Sequence, residues 1–378
     1  MPDKKLIAWQ DQCLPQILNS KGLLDGIEGS LPYIKGFDQY NNLLKLNSVF
    51  SSHPRFMLVD RTLSTKLPFN YYIPREWTAP TQQWSLDQAM EQRVYKLLEK
   101  SQKVNLLWSG GIDSTALVTA FIKHASNHAQ IRILYSPWST YEHPQYIDFL
   151  KNFNEIELVD ISGDRYMNWD FDGIFVTGDG GDESLASMDE SFIDAHGIEK
   201  LHSPWESFVY SKSNNSELVD FCQQHFKLAN RPIETVLHAR WWFYTICKSR
   251  SILSSKSVML FDRSKFNIDE LQGFYDCNEF ENYTYWDLEN AIIGSTYLSW
   301  KQPLKEYAYK FDNLETWYTT VKKHHSSQTI QYWNKKLALT DNRWIAIDTN
   351  GIRSSTPSLP VLTIKEFNEY TDLDWAFN

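Results

Sequence analysis

Two aspartates that each close a glycine-rich turn are the residues of this chain best suited to chemistry. Asp113 lies in Ser109-Gly110-Gly111-Ile112-Asp113-Ser114, and Asp182 follows Gly178-Asp179-Gly180-Gly181. Glycines let a backbone approach a ligand closely, and the free N–H groups of a helix start, with the helix dipole, favour an anion. Ser109, Ser114 and Thr115 add hydroxyl donors to the first turn. A phosphate chain fits there, and Asp113 is placed to hold the Mg²⁺ that accompanies it. No lysine follows the glycines, so the turn is not a Walker loop. Gly178, Asp179 and Gly180 form the second turn, and with Asp182 directly after it the turn suits a cation site at the carboxyl edge of a parallel sheet. Taken singly, the first motif also reads as a glycine turn with an ordinary N-cap, and the second as a turn of solvated acids.

Both turns sit where strands end. Val104–Leu107 and 174–177 are short apolar runs, and after the first turn Leu117, Val118, Phe121 and Ile122 give a helix its apolar face. Ser85 is an N-cap for a helix carrying Leu86, Met90, Val94, Leu97 and Leu98. Strands follow at Ile131–Tyr135 and 156–160, with a helix over 144–153 between them. The alternation predicts an α/β fold with a doubly wound parallel sheet. Residues 1–83 read as a small β-containing region, with Pro74 and Pro80 bracketing a linker. Residues 84–378 read as one domain, in which everything past 185 is mainly helical, with helices over 204–211, 216–229, 232–249, 285–298, 301–309 and 314–323.

Composition narrows the class. No run of apolar residues is long enough for a membrane span, and the amino terminus lacks the apolar stretch of a signal peptide. The four cysteines form no CxxC pair, so reduced thiols in the cytoplasm are expected rather than a zinc knuckle. A net charge of −10 argues against a large nucleic-acid footprint. His124, His128, His143, His202, His324 and His325 have no metal-ligand spacing.

The string SGGIDS resembles the phosphate-binding signature of the PP-loop ATP pyrophosphatases. Together with GDGGDE, it closely resembles the synthetase domain of the asparagine synthetase B and β-lactam synthetase family. That resemblance implies an ATP-dependent ligase. It implies that Asp113 and Asp182 share Mg²⁺·ATP, with adenine flanked by Leu134 and Tyr135 at the end of the second strand. It further implies a small-molecule or peptide carboxylate and an amine or ammonia as substrates. A lysine of the family's C-terminal basic segment neutralises the pyrophosphate; Lys323 is the best match, Lys322 the next and Lys301 an outsider. Glu270 or Asp276 matches the acidic segment that lines the acceptor site, one place out of register and without its proline. Pro2 follows Met1, so the N-terminal cysteine of the family's glutaminase is missing, and ammonia, a substrate amine or a separate glutaminase is the expected nitrogen source. Two competing readings stay open: a PP-loop enzyme that modifies RNA or a nucleobase, and a nucleotide-binding homologue without catalysis.

Overall fold

The structure is a computed structural model, and it describes residues 5–9, 22–28, 31–51, 58–68, 75–161, 171–185, 192, 196–249, 270–292, 301–314 and 344–347. In chain order the elements used below begin with β1 (Lys5–Trp9), β2 (Leu24–Glu28), β3 (Leu31–Ile34), α1 (Asp38–Phe50) and α2 (Leu86–Lys100). Next come β4 (Val104–Leu107), α3 (Ile112–His124), β5 (Ile131–Tyr135), α4 (Pro137–Glu142), α5 (Pro144–Leu150), β6 (Glu157–Asp160), β7 (Ile174–Thr177) and α6 (Gly181–Ser184). The remainder are α7 (Trp205–Ser213), α8 (Ser216–Phe226), α9 (Val236–Phe243), β8 (Leu271–Gly273), α10 (Asn278–Thr284), α11 (Leu288–Ile292), α12 (Gln302–Asp312) and β9 (Trp344–Ile347).

Packing divides the chain into two compact units, each discontinuous in sequence. One comprises Met1–Ala79, Met188–Phe261 and Leu337–Asn378; the other comprises Pro80–Ser187 and Asp262–Lys336. The first unit contains the β1–β9 pair, the β2–β3 hairpin and helices α1, α7, α8 and α9, the last continued by a π-helical turn over Tyr244–Lys248.

The second unit is built on a five-stranded sheet in the order β6-β5-β4-β7-β8, with every neighbouring pair parallel. This is the expected doubly wound α/β sheet. The chain starts at the central strand β4, winds outward through β5 and β6, then returns to β7 and β8 on the other side. The reversal of winding puts a topological switch point between β4 and β7, at whose carboxyl ends such sheets bind ligands. Val104, Leu106, Ile131, Ile133, Ile174 and Val176 fill the sheet core with buried aliphatic side chains.

Helix α2 begins as its sequence dictates. Ser85 accepts from the Gln88 amide while the Gln88 side chain accepts from the Ser85 amide, a reciprocal capping box. The helix then aims the buried Arg93 at the end of β8, where it donates to the carbonyls of Phe274 (3.1 Å) and Gly273 (2.6 Å). The edge strand β8 had no counterpart in the sequence reading, because three residues show no periodicity. The helix expected over 285–298 starts later, at Leu288, and is described only to Ile292. α10 ends at Thr284, and the Asp287 carboxylate accepts from the Asn290 side chain at 2.6 Å, restarting the chain as α11. The expected helix over 314–323 lies outside the described residues. Among the described residues, no helix is long and apolar enough to cross a membrane.

The capping box gives a simple check on this scaffold. Ser85→Ala is expected to lower stability by about 1 kcal/mol in urea denaturation; an unchanged midpoint would show that α2 does not depend on its cap.

Candidate functional site

Both glycine turns sit at the carboxyl edge of the sheet, one after β4 and the other after β7. The first turn is anchored by Trp108, which is buried. Its amide donates to Leu134 O at 3.0 Å, its carbonyl accepts from Ser139 Oγ at 2.7 Å, and its indole donates to Thr115 Oγ1 at 3.1 Å. Gly110 has φ +83, and a Cβ there would run into the Ser139 carbonyl and lie 2.7 Å from Glu142 Cβ, so only glycine fits. Gly111 is the N-cap of α3 and offers no side-chain cap to the helix amides. Within the turn, Ser109 N and Ser109 Oγ lie 3.1 and 3.0 Å from Ser114 Oγ, which donates to Gly111 O at 3.0 Å. These bonds fix the turn's shape before any ligand arrives.

The second turn packs its backbone directly on the first. A Cβ at Gly178 would lie 2.9 Å from Ser114 N, and one at Gly181 would lie 2.8 Å from Asp113 Cγ. Tyr275, buried just beyond β8, donates its hydroxyl to Asp113 O at 2.8 Å, and its own carbonyl accepts from Ser184 Oγ at 3.0 Å. Burial and the nearby Asp113 carboxylate push the Tyr275 phenol well above its ordinary pKa, so it stays a donor. Asp179 points elsewhere. Its carboxylate takes the Thr177 hydroxyl, which in turn accepts from Asp179 N at 3.1 Å.

Asp113 and Asp182 converge on one cation, the ammonium of Lys301. Lys301 Nζ lies 2.7 and 2.5 Å from the two carboxylate oxygens of Asp113, and it also pairs with Asp182 Oδ1. The lysine is buried, whereas the Asp182 side chain keeps 47% of its exposure, so the cluster opens to solvent on the aspartate side. Lys301 immediately precedes α12 in a left-handed conformation (φ 52, ψ 39), a strained choice for a side-chain-bearing residue. Burial works to lower the ammonium's pKa, but the two carboxylates outweigh it and hold the group charged. Oxygen donors from two carboxylates beside a helix amino terminus suit Mg²⁺ and phosphate.

The other sequence candidates divide. Ser109, Gly110, Gly111, Asp113, Ser114, Gly178, Gly180 and Asp182 gather at this edge. Thr115 is fully buried and spends its hydroxyl on the Trp108 indole, so it serves the fold and does not face the turn. Leu134 is buried at the end of β5, and Tyr135 follows it, half-buried. Glu270 precedes β8, so in an all-parallel sheet it lies at the opposite edge from the glycine turns. Lys322 and Lys323 lie outside the described residues. Lys301, the outsider among the lysines in the sequence, reaches both aspartates, and Tyr275, which carries no sequence motif, holds the Asp113 backbone. A signal for Lys301 existed in Lys301-Gln302-Pro303, since a proline in the first turn marks a helix start.

A second cluster occurs in the other unit, where the ligand-type atoms of Asp60, His225 and Cys247 lie within 4.8 Å of one another, all buried. The Trp242 indole donates to His225 Nδ1 at 2.9 Å. An indole nitrogen can only donate, so the neutral imidazole carries its proton on Nε2, 3.3 Å from Asp60 Oδ2. The Asp60 carboxylate also accepts from Thr62 N and Oγ1, Ser64 Oγ and Thr65 N. Neither group retains a lone pair aimed at a metal. The cluster is a structural knot. Burial alone would raise the Asp60 pKa, but the neighbouring His225 imidazole and the hydrogen bonds from Thr62 hold it far below the usual range.

Comparison of the sequence with protein-family models gives no match, and neither does comparison with curated proteins.

Three substitutions test these geometries. Gly178→Ala is expected to cost roughly 2 kcal/mol or more in urea denaturation, because backbone blocks the new methyl. Gly180→Ala has φ +90 but open space around it, and is expected to cost only about 1 kcal/mol. Asp60→Ala strips the partners from buried donors and is expected to cost roughly 3 kcal/mol. The charge-linked part of the Asp60 contribution is fully present above the unfolded pKa of about 4 and is lost progressively as pH falls from there toward the depressed folded value, so the stability difference between wild type and variant should narrow as an acid titration proceeds below about pH 4.

Proposed function

We propose that this chain is an ATP-dependent, AMP-forming amide ligase of the asparagine synthetase type. The observation that carries the reading is the convergence of Asp113 and Asp182, from two separate glycine turns, on one cationic position beside the amino terminus of α3. A carboxylate substrate attacks the α-phosphorus of ATP, the bond to the bridging oxygen breaks, and pyrophosphate leaves. Ammonia or an amine then attacks the acyl carbon of the acyl-adenylate, loses a proton, and expels AMP. The chemistry replaces hydroxide, a poor leaving group, with AMP, a good one.

The chain's own residues supply the electrostatics. The N–H groups that open α3 face phosphate oxygens without reorganising, because the Ser109–Ser114 bonds already fix the turn. Gly178 and Gly181 keep the second turn close enough for Asp182 to reach the same cation as Asp113. Mg²⁺ held by these two carboxylates would neutralise the departing pyrophosphate. The Lys301 ammonium adds a mobile positive charge for the same leaving group.

The test follows ATP with Mg²⁺ over a panel of small carboxylates, each with ammonia or a primary amine. Carboxylate-dependent formation of AMP and pyrophosphate is expected, falling at least about a hundredfold in Asp113→Ala and in Asp182→Ala. Formation of ADP would overturn the reading, and AMP release that requires tRNA would favour a base-modifying enzyme.

A further inference from the structure

We propose that Lys301 is an internal counter-cation that keeps divalent metal out of the Asp113–Asp182 pair until a polyphosphate draws the ammonium away. The inference rests on the reading of this site as one for Mg²⁺·ATP. Nζ contacts both oxygens of Asp113 and one of Asp182. A divalent cation using those oxygens needs the space the ammonium fills, and like charges at that range repel strongly in a half-buried site. The metal therefore cannot simply add to the cluster; the ammonium has to move.

The structure supplies both the means and the destination. Lysine carries its charge on a flexible four-carbon stem with rotatable donors. The backbone of Lys301 is fixed in the left-handed region at the start of α12, so only the side chain has to swing. Asp113 lies in the first turn of α3, so phosphate held at that amino terminus sits beside the ammonium and offers it new anionic partners. A polyphosphate thus makes room for the metal and contributes its own oxygens to it. Metal and nucleotide then bind with positive coupling, and the coupling is reciprocal.

The prediction is tested by titrating Mn²⁺ and reading the free ion by electron paramagnetic resonance, with and without α,β-methylene ATP. Wild type is expected to hold Mn²⁺ weakly alone and at least about tenfold more tightly with the analogue. Lys301→Met should bind Mn²⁺ alone at least about tenfold more tightly than wild type, and Lys301→Arg should restore the exclusion. Should Lys301→Met not fold by circular dichroism, Lys301→Gln, whose amide still donates to a carboxylate, takes its place. Equal affinity for Mn²⁺ alone in wild type and the uncharged variant overturns the proposal. So does a wild type that binds Mn²⁺ equally well with and without the analogue while binding the analogue itself. If no protein binds the analogue, with or without metal, the nucleotide reading fails, and the metal-alone comparison still decides the role of Lys301.

Discussion

Two carboxylates brought together in a partly buried cleft need a cation, and the sheet-bearing unit is arranged around that requirement. Ionised Asp113 and Asp182 repel each other and lose hydration on approach, so the pair persists only with compensating charge. Lys301 supplies it. The approach itself is a matter of backbone sterics, since a single methyl at Gly181 would press on the Asp113 carboxylate. Ion cluster and glycine turns are thus one device: the glycines permit the approach, and the ammonium makes it tolerable.

The supports of that device form a continuous mechanical chain. The Ser85 capping box starts α2, and α2 carries Arg93 to the carbonyls of Gly273 and Phe274 at the end of β8. Those residues lead into Tyr275, whose hydroxyl holds the Asp113 carbonyl. On the other side, Trp108 ties the end of β4 to β5, to Ser139 and to Thr115. The first turn of α3 is therefore held by hydrogen bonds from three other segments, Trp108 to the Thr115 hydroxyl, Tyr275 to the Asp113 carbonyl and Lys301 to the Asp113 carboxylate. That matches the precision a charge-stabilising site needs better than loops anchored only at their ends.

Much of this was legible in the sequence, and the gaps have physical causes. The βαβ alternation and the two glycine motifs exposed the parallel sheet and its carboxyl edge, because periodicity and glycine placement are local signals. Lys301 was only an outsider behind Lys322 and Lys323, since its partners are far away in sequence and a lysine's partner is not encoded in its neighbours. Tyr275 was invisible for the same reason. The edge strand β8 is too short to show a period, and Glu270, which fitted an acidic pattern by type, sits at its amino-terminal end. The assembly of each compact unit from separated stretches is likewise a property of packing that no linear pattern displays.

The two charge clusters differ in the way that led us to propose a function for only one of them. Asp60 and His225 are sealed, with the carboxylate fully hydrogen-bonded and the imidazole tautomer set by Trp242. Nothing there can exchange a partner without breaking the fold. The Asp113–Lys301–Asp182 cluster is open on the Asp182 side and joined to an uncapped helix terminus. As a source of stability it is a poor choice, because an ion pair removed from water recovers little and an apolar trio would serve as well. Its strained lysine backbone and its glycine-only turns add cost without packing benefit. A cluster that is expensive, accessible and built from exchangeable electrostatic contacts is best accounted for by a ligand that makes the exchange, and polyphosphate with its metal is the chemistry those contacts suit.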